Sequence, residues 1–211
     1  MDRLMHRRQG SGMHWITRFL IVLVVALGAQ RPATAQADVD AARAFVADLG
    51  HTAIEMLTSS GLSQAERAAR FKELLSTNFD VPRIGNFVLG QYRRQATQEE
   101  LNSFYEVFKD TMVATYIGRF DELSTNGFTV ERAIPDGDTG VIVTTSVRDT
   151  SGQTARVDWR LRPAGSGFVV IDVAVEGVSI AQTLREEYAS VIRQNGGTVS
   201  GLVNALRARL G

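Results

Sequence analysis

Asp172 is the strongest candidate for a residue with a chemical role, because it lies inside the otherwise apolar segment 167–175. A carboxylate among apolar side chains costs free energy unless it is paired, hydrogen-bonded or protonated. Two roles would explain it. It could be a general base in an apolar pocket, or a structural anchor that ties a strand to an arginine or to backbone N–H groups. No histidine or second acid stands beside it, so we favour the anchor, and we expect Glu176 to anchor the adjoining corner.

The residue types that most often perform catalysis are scarce. The chain has no cysteine and three histidines, of which His6 and His14 lie near the N-terminus and His51 stands alone. Zinc sites and Cys–His or Ser–His–Asp arrangements need more partners than this. No glycine-rich phosphate-binding pattern follows a strand. We therefore predict a protein without catalytic residues, metal or cofactor.

The N-terminal segment has the order of a secretory signal peptide. Arginines precede an apolar run over residues 19–29, and Ala33-Thr34-Ala35 supplies the small-residue cleavage pattern. The run is shorter than the roughly 20 residues that span a bilayer. We predict cleavage of residues 1–35, a mature chain that forms a single domain over residues 36–211, and a periplasmic location.

The charge balance changes on cleavage. Residues 1–35 contain five arginines and one aspartate, so the 23 basic and 23 acidic residues of the whole chain become 18 and 22. A net charge of −4 does not indicate the positively charged surface that nucleic-acid binding needs. It also argues against simple adsorption to anionic lipid headgroups.

Helical periodicity fills the first half of the mature chain. A helix is predicted over residues 38–57, a second is capped by Ser63 and Glu66, and a third begins at Val81-Pro82. A long fourth helix, capped by Thr97 and Glu100, should reach about residue 123. A last predicted helix follows the strands, over residues 180–194, capped by Ser179 with Gln182.

From residue 128 onward, apolar residues recur at every second position instead of at helical spacing. Phe128, Val130 and Ile134 alternate with polar residues, and short turns separate four such segments. The last, over residues 167–175, reads as a central strand covered on both faces, with Val169, Ile171, Val173 and Val175 on one of them. The predicted fold class is α+β: an antiparallel, curved four-stranded sheet with amphipathic helices packed on one side, enclosing an apolar pocket.

Apolar residues of the long fourth helix and of the strands could either fill a core or line a slot between that helix and the sheet. Their periodicity is the same in both cases, so both interpretations stand. The candidates for the pocket lining are Phe87, Phe104, Phe108, Met112, Tyr116, Val141, Val143, Val157, Trp159, Leu161, Val169, Ile171 and Val173.

A series of short motifs runs through the chain in a recognisable order. They are FDVPRI at 79–84, LGQYRR at 89–94, FYEVFK at 104–109, VDWRL at 157–161, IDV at 171–173, EGVS at 176–179 and SVI at 190–192. In this order they resemble the MlaC family of periplasmic phospholipid-binding proteins, also called toluene-tolerance auxiliary proteins.

The resemblance implies a carrier whose slot holds the acyl chains of a phospholipid. It also implies two partners, an inner-membrane ABC transporter with an MCE-type component and an outer-membrane lipoprotein complex, and a role in outer-membrane lipid asymmetry. Three alternatives stay open: a carrier of hopanoids or other polycyclic lipids, an enzyme like ketosteroid isomerase with Asp172 as its base, and a structural module of an envelope complex.

Overall fold

The protein is described from a computed structural model, which covers residues 33–58 and 61–211. The predicted signal peptide therefore lies almost entirely outside the described residues. Residues Ala37–Gly211 form one compact unit. Within the described ranges, no helix is both long and apolar enough to cross a membrane.

Helices precede and follow a single sheet. The α-helices of the described part are α1 (Ala33–Thr58), α2 (Gln64–Asn78), α3 (Val81–Leu89), α4 (Gln98–Tyr116), α5 (Ile180–Gln194) and α6 (Val199–Leu210). Short 3₁₀ helices follow α3 over Gly90–Gln95 and α4 over Ile117–Glu122. The helix predicted to reach residue 123 thus ends as an α-helix at Tyr116, and α6 was not predicted.

The helices begin where the capping residues predict. Ser63 with Glu66, and Thr97 with Glu100, each form both hydrogen bonds of a capping box. Ser179 accepts from the backbone N–H of Gln182, but the Gln182 side chain turns to Glu186, so only half of that predicted box forms. These side chains satisfy backbone donors that the first helical turn leaves unpaired.

One antiparallel meander makes up the sheet. Its strands lie in chain order: β1 (Leu123–Asp136), β2 (Gly140–Asp149), β3 (Thr154–Ala164), β4 (Gly167–Val175) and β5 (Val178–Ser179). The α+β class and the antiparallel sheet are confirmed. The fifth strand was not predicted, since it is two residues long and folds back on β4 through the turn at Glu176-Gly177.

The prediction that β4 is central holds only in part, because β4 lies between β3 and the two-residue strand β5. On the edge of β4 away from β3, the described residues form only the pairing with β5 and an isolated parallel bridge from Phe79 to Val170. An apolar run can be covered by helices and a short edge element as well as by neighbouring strands, so its composition did not reveal its place in the sheet.

Two β-bulges interrupt the strict alternation of faces that was predicted for the strands. An extra residue at Glu131 puts Ala133 rather than Arg132 opposite Val143, and it pairs Ile134 with Ile142 on the other face, where Ile134 is 41% exposed. A second bulge at Ile171 pairs Leu161 with Val170 and Arg162 with Val169. Directly paired residues share a face, so Val169 and Val173 point to opposite sides of the sheet.

The two faces of the sheet differ in chemistry. Val141, Val143, Leu161 and Val170 belong to the hydrophobic core together with residues of the helices, which marks their side as the inner face. The opposite, outer face carries Thr144, Asp158 and a series of arginines. This separation places the apolar surface of the sheet against the helix layer.

Candidate functional site

Three cross-strand rows build the inner face. The register aligns Val141 with Leu161, then Leu161 with Val170; it aligns Val143 with Trp159, then Trp159 with Val173. A third row runs from Thr145 through Val157 to Val175. Ten of the thirteen predicted lining residues lie on this inner face or on α4, and they are Phe104, Phe108, Met112, Tyr116, Val141, Val143, Val157, Trp159, Leu161 and Val173.

Burial changes along these rows. Val143, Leu161 and Val170 are fully buried, whereas Val157, Trp159 and Val173 are half-buried and Val175 is 39% exposed. The helices therefore close the inner face at one end and leave it partly open toward the β4–β5 corner. We call this surface, from Val143 to Val175, the inner slot.

Trp159 is held at the open part of the inner slot by a hydrogen bond across the strands. Its Nε1 donates to Thr145 Oγ1 at 3.0 Å, and that hydroxyl donates to the carbonyl of Val157 at 3.2 Å. Thr145 is fully buried. The hydrogen bond from Trp159 to Thr145 fixes the indole ring against the sheet. Because the Thr145 hydroxyl donates in turn to a backbone carbonyl, both polar groups have partners.

An aromatic cluster occupies the helix layer. Phe104 and Phe108 of α4 meet the ring of Tyr188 of α5 edge-on, with ring centroids 6.2 and 6.5 Å apart. The Tyr188 hydroxyl is buried and has no hydrogen-bond partner among the described residues. Burial raises the pKa of Tyr188 and, less strongly, that of half-buried Tyr116.

Helix α1 also covers part of the sheet, through contacts that the sequence did not predict. Phe45 packs against Phe168 with ring centroids 6.4 Å apart, and the ring of Phe128 lies directly on the backbone at Gly50. Arg43 donates to the carbonyl groups of Val130 and Glu131 at the first bulge. The apolar stripe of α1 was visible, but not the surface it would meet.

The three remaining lining candidates lie elsewhere. Phe87 is 43% exposed on α3, Val169 shares the outer face with Arg162, and Ile171 is the extra residue of the second bulge. Strict alternation had assigned Val169 and Ile171 to the same face as Val173. The bulge that separates them has no signature in the apolar pattern.

Asp172 lies on the outer face, paired in register with Arg160. Its two carboxylate oxygens accept from Ser179 Oγ at 2.7 Å and from the backbone N–H of Ala181 at 3.2 Å. It is therefore directed at the start of α5 and not into the inner slot. These are the contacts that an anchor needs, and they are not those of a base beside an apolar ligand.

Glu176 closes the β4–β5 corner. Its backbone adopts a φ of 49°, its N–H donates to the carbonyl of Arg156 at 2.9 Å, and its carboxylate accepts from the N–H of Arg156 at 2.5 Å. A positive φ is unfavourable for a residue with a side chain. Both hydrogen bonds tie the corner to β3 and offset that cost.

A polar network covers the outer face. Thr144, only 2% exposed, donates to Asp158 at 2.6 Å, and Arg156 pairs with the same carboxylate at 2.7 Å. Asp136 pairs with Arg160 and Arg162. Across residues 33–58 and 61–211, no group of three or more acidic or histidine side chains is placed to hold a metal ion.

A concavity lies between α2 and α4. It has a volume of about 480 Å³ and is lined by Gln64, Ala65, Ala68, Ala69, Lys72, Asp110, Val113, Ala114 and Ile117. Lys72 pairs with Asp110 at 2.6 Å, and this bond raises the pKa of the Lys72 ammonium group. The alanines were not singled out in the sequence, since small residues carry no strong periodic signal.

Fold and site together define an α+β protein whose antiparallel sheet turns one apolar face toward a layer of helices and one charged face away from it. The chain belongs to the MlaC family, whose model matches residues 48–208. The family resemblance seen in the sequence is confirmed.

Two known proteins illustrate the similarity, one in sequence and one in fold. Toluene tolerance protein Ttg2D of Pseudomonas putida is 29% identical over 106 residues, which are 50% of this chain and 49% of that protein. The match thus spans about half the length of the curated relative. A phospholipid-binding protein from Ralstonia solanacearum, solved in complex with a phospholipid, superposes with a TM-score of 0.67 at 24% identity, covering 80% of this chain and 96% of the other.

Proposed function

We propose that this protein is a periplasmic carrier that binds a glycerophospholipid by its acyl chains in the inner slot. The observation that carries the proposal is the burial gradient, from fully buried Val143 to exposed Val175, on one apolar sheet face. Membership of the MlaC family and the phospholipid held by the Ralstonia protein of the same fold support it.

The energetics explain why such a carrier is useful. Each CH₂ group exposed to water costs about 0.8 kcal/mol, so two acyl chains of ordinary length present a barrier of roughly 20 kcal/mol. A slot that replaces the bilayer brings net transfer near zero. Direction then comes from partners, for which we propose an inner-membrane ABC transporter with an MCE-type component and an outer-membrane lipoprotein complex, acting to maintain lipid asymmetry.

The chemistry of the described site favours binding over catalysis. Asp172, the strongest candidate for a general base, faces the outer side of the sheet and is engaged by Ser179 and Ala181. The inner slot itself presents apolar side chains, with the Thr145 hydroxyl already bonded to Trp159. Apolar contact suits acyl chains, and the open end near Val175 would leave a polar headgroup in water.

Native mass spectrometry of the protein purified from the periplasm tests this function. A phospholipid-sized adduct is expected, whereas a hopanoid-sized adduct would identify the polycyclic-lipid carrier. Recovery of the protein without any lipid would contradict both. N-terminal sequencing of the same sample should begin at Gln36.

A matched pair of variants tests the site. Val173→Trp adds bulk to the half-buried part of the inner slot and should lower the amount of bound lipid. Ile142→Trp makes a comparable change on the outer face, where Ile142 lies opposite Arg160, and should leave bound lipid unchanged. Equal lipid content in the two folded variants would show that acyl chains do not occupy the inner slot.

A further inference from the structure

Three arginines lie on or close to helix α3, which carries the exposed ring of Phe87. The Arg185 guanidinium carbon lies 4.9 Å above the ring of Phe87, and its NH1 donates to the Phe87 carbonyl at 3.1 Å. Arg83 precedes Phe87 by one helical turn and so shares its face. Arg93 donates its Nε to Asn86 at 3.0 Å. We call Arg83, Phe87, Arg93 and Arg185 the α3 patch.

Within the described part of the chain, the arginines of the α3 patch form no ion pairs, in contrast to Arg156 with Asp158 and Arg162 with Asp136 on the sheet. The carboxylate of Asp80 accepts from the backbone N–H of Arg83 and caps the helix. Glu186, beside Arg185, accepts from Gln182 instead.

Neutral acceptors hold two of these guanidinium groups in place. A backbone carbonyl positions Arg185 and a side-chain amide positions Arg93, so their full charge stays available for an external anion. The planar guanidinium fork matches the geometry of phosphate oxygens. An exposed aromatic ring among basic side chains is the composition found at membrane–water interfaces.

We propose that the α3 patch docks the protein on the surface of an anionic bilayer, with the arginines on lipid phosphates and Phe87 in the interfacial layer. This deepens the proposed carrier function, since a lipid carrier must approach the lipids it exchanges. A protein partner fits less well, because protein interfaces have an apolar centre and the patch offers one exposed ring.

The net charge of −4 argues against adsorption of the predicted mature chain as a whole, but it acts only weakly on docking through a local cluster of arginines. Interactions between exposed charges are largely screened beyond about 8–10 Å at physiological salt. The bilayer therefore responds to the local cluster of arginines and only weakly to carboxylates on the far side of the protein. Binding of this kind is weak and reversible, and it should disappear at high salt.

Flotation with vesicles tests the proposal on the mature, lipid-loaded protein. Binding is expected to vesicles of phosphatidylglycerol and phosphatidylcholine in equal parts, and not to phosphatidylcholine alone. Near an anionic surface each positive charge contributes about fivefold in affinity. Arg83→Glu should therefore weaken binding by about 25-fold, Arg83→Lys should preserve it, and Phe87→Ala should weaken it several-fold.

Arg148→Glu is the matched control, because Arg148 is exposed on the outer face of the sheet and outside the α3 patch. It should bind vesicles like the parent. Equal losses in Arg148→Glu and Arg83→Glu, or a parent protein that does not bind anionic vesicles, would overturn the docking surface. Bound lipid measured in the same samples separates this outcome from failure of the carrier function, since Arg83→Glu should keep its lipid.

Discussion

Ser179 donates a hydrogen bond from its hydroxyl to the carboxylate of Asp172 at 2.7 Å, while the same hydroxyl accepts the backbone N–H of Gln182 at 3.0 Å. The second carboxylate oxygen of Asp172 accepts the N–H of Ala181. A strand residue thereby caps the helix that follows it. Negative charge at a helix N-terminus is favourable, so this relationship fastens α5 to β4.

Asp172→Asn should lower the free energy of unfolding by roughly 1–3 kcal/mol, because a neutral amide is a weaker acceptor than a carboxylate and places a donor where two donors converge. Chemical denaturation monitored by circular dichroism measures the change. Asp138→Asn, on an exposed turn, is the control and should be neutral. If the Asp172→Asn variant is as stable as the parent, Asp172 does not act as an anchor.

Thr145→Val should destabilise the protein by about 1 kcal/mol. Valine keeps the shape of threonine but leaves the Trp159 Nε1–H without its acceptor. Trp159 would be the only tryptophan after cleavage of residues 1–35, so its fluorescence reports both the unfolding transition and the altered environment of the ring. Thr129→Val on the exposed side of β1 provides the comparison; equal effects of the two substitutions would argue against the hydrogen bond.

Tyr188→Phe should raise the free energy of unfolding by about 1 kcal/mol, because it removes a buried hydroxyl that has no partner among the described residues while keeping its ring contacts. Tyr105→Phe should have the opposite effect, since the Tyr105 hydroxyl donates to Asn86 at 2.8 Å. Thermal melts of the two variants measure the signs directly. A loss of stability in Tyr188→Phe would reveal a partner for its hydroxyl.

Tyr188 should also make the protein sensitive to alkali. Burial raises its pKa in the folded protein above the unfolded value near 10. The folded state therefore binds the phenolic proton more tightly, so the contribution of Tyr188 to stability is constant below pH 10 and falls as the pH rises above it. In an alkaline titration the Tyr188→Phe variant should unfold at a higher pH than the parent; coincident transitions would assign the effect to other groups.

Local sequence signals determined the helices and turns well. The pairs Ser63–Glu66 and Thr97–Glu100 predicted helix starts correctly, because a capping box is built from residues three apart and needs no distant partner. The meander followed likewise from short turns, which leave successive strands no choice but to lie antiparallel. The order of motifs was also sufficient to assign the MlaC family, which the match over residues 48–208 confirms.

The faces of the strands could be predicted only up to the bulges. A strict period of two assigned Ile134 and Val169 to the inner face, and both lie on the outer one. One inserted residue reverses the side of every residue beyond it. Whether a strand takes up that residue depends on the partner strand and the helices packed on it, which the strand's own apolar pattern does not record.

The sequence by itself determined which residues are apolar, which are charged and where the chain turns. Only the tertiary structure decided that Asp172 faces the start of α5, that the buried Tyr188 hydroxyl has no partner among the described residues, and that Arg185 packs on the ring of Phe87. These contacts join different elements: Phe87 and Arg185 are far apart in the chain, and Asp172 and Ser179 belong to β4 and to the start of α5. Burial and charge density are properties of that assembled surface, so they appear only when the helices and the sheet have packed.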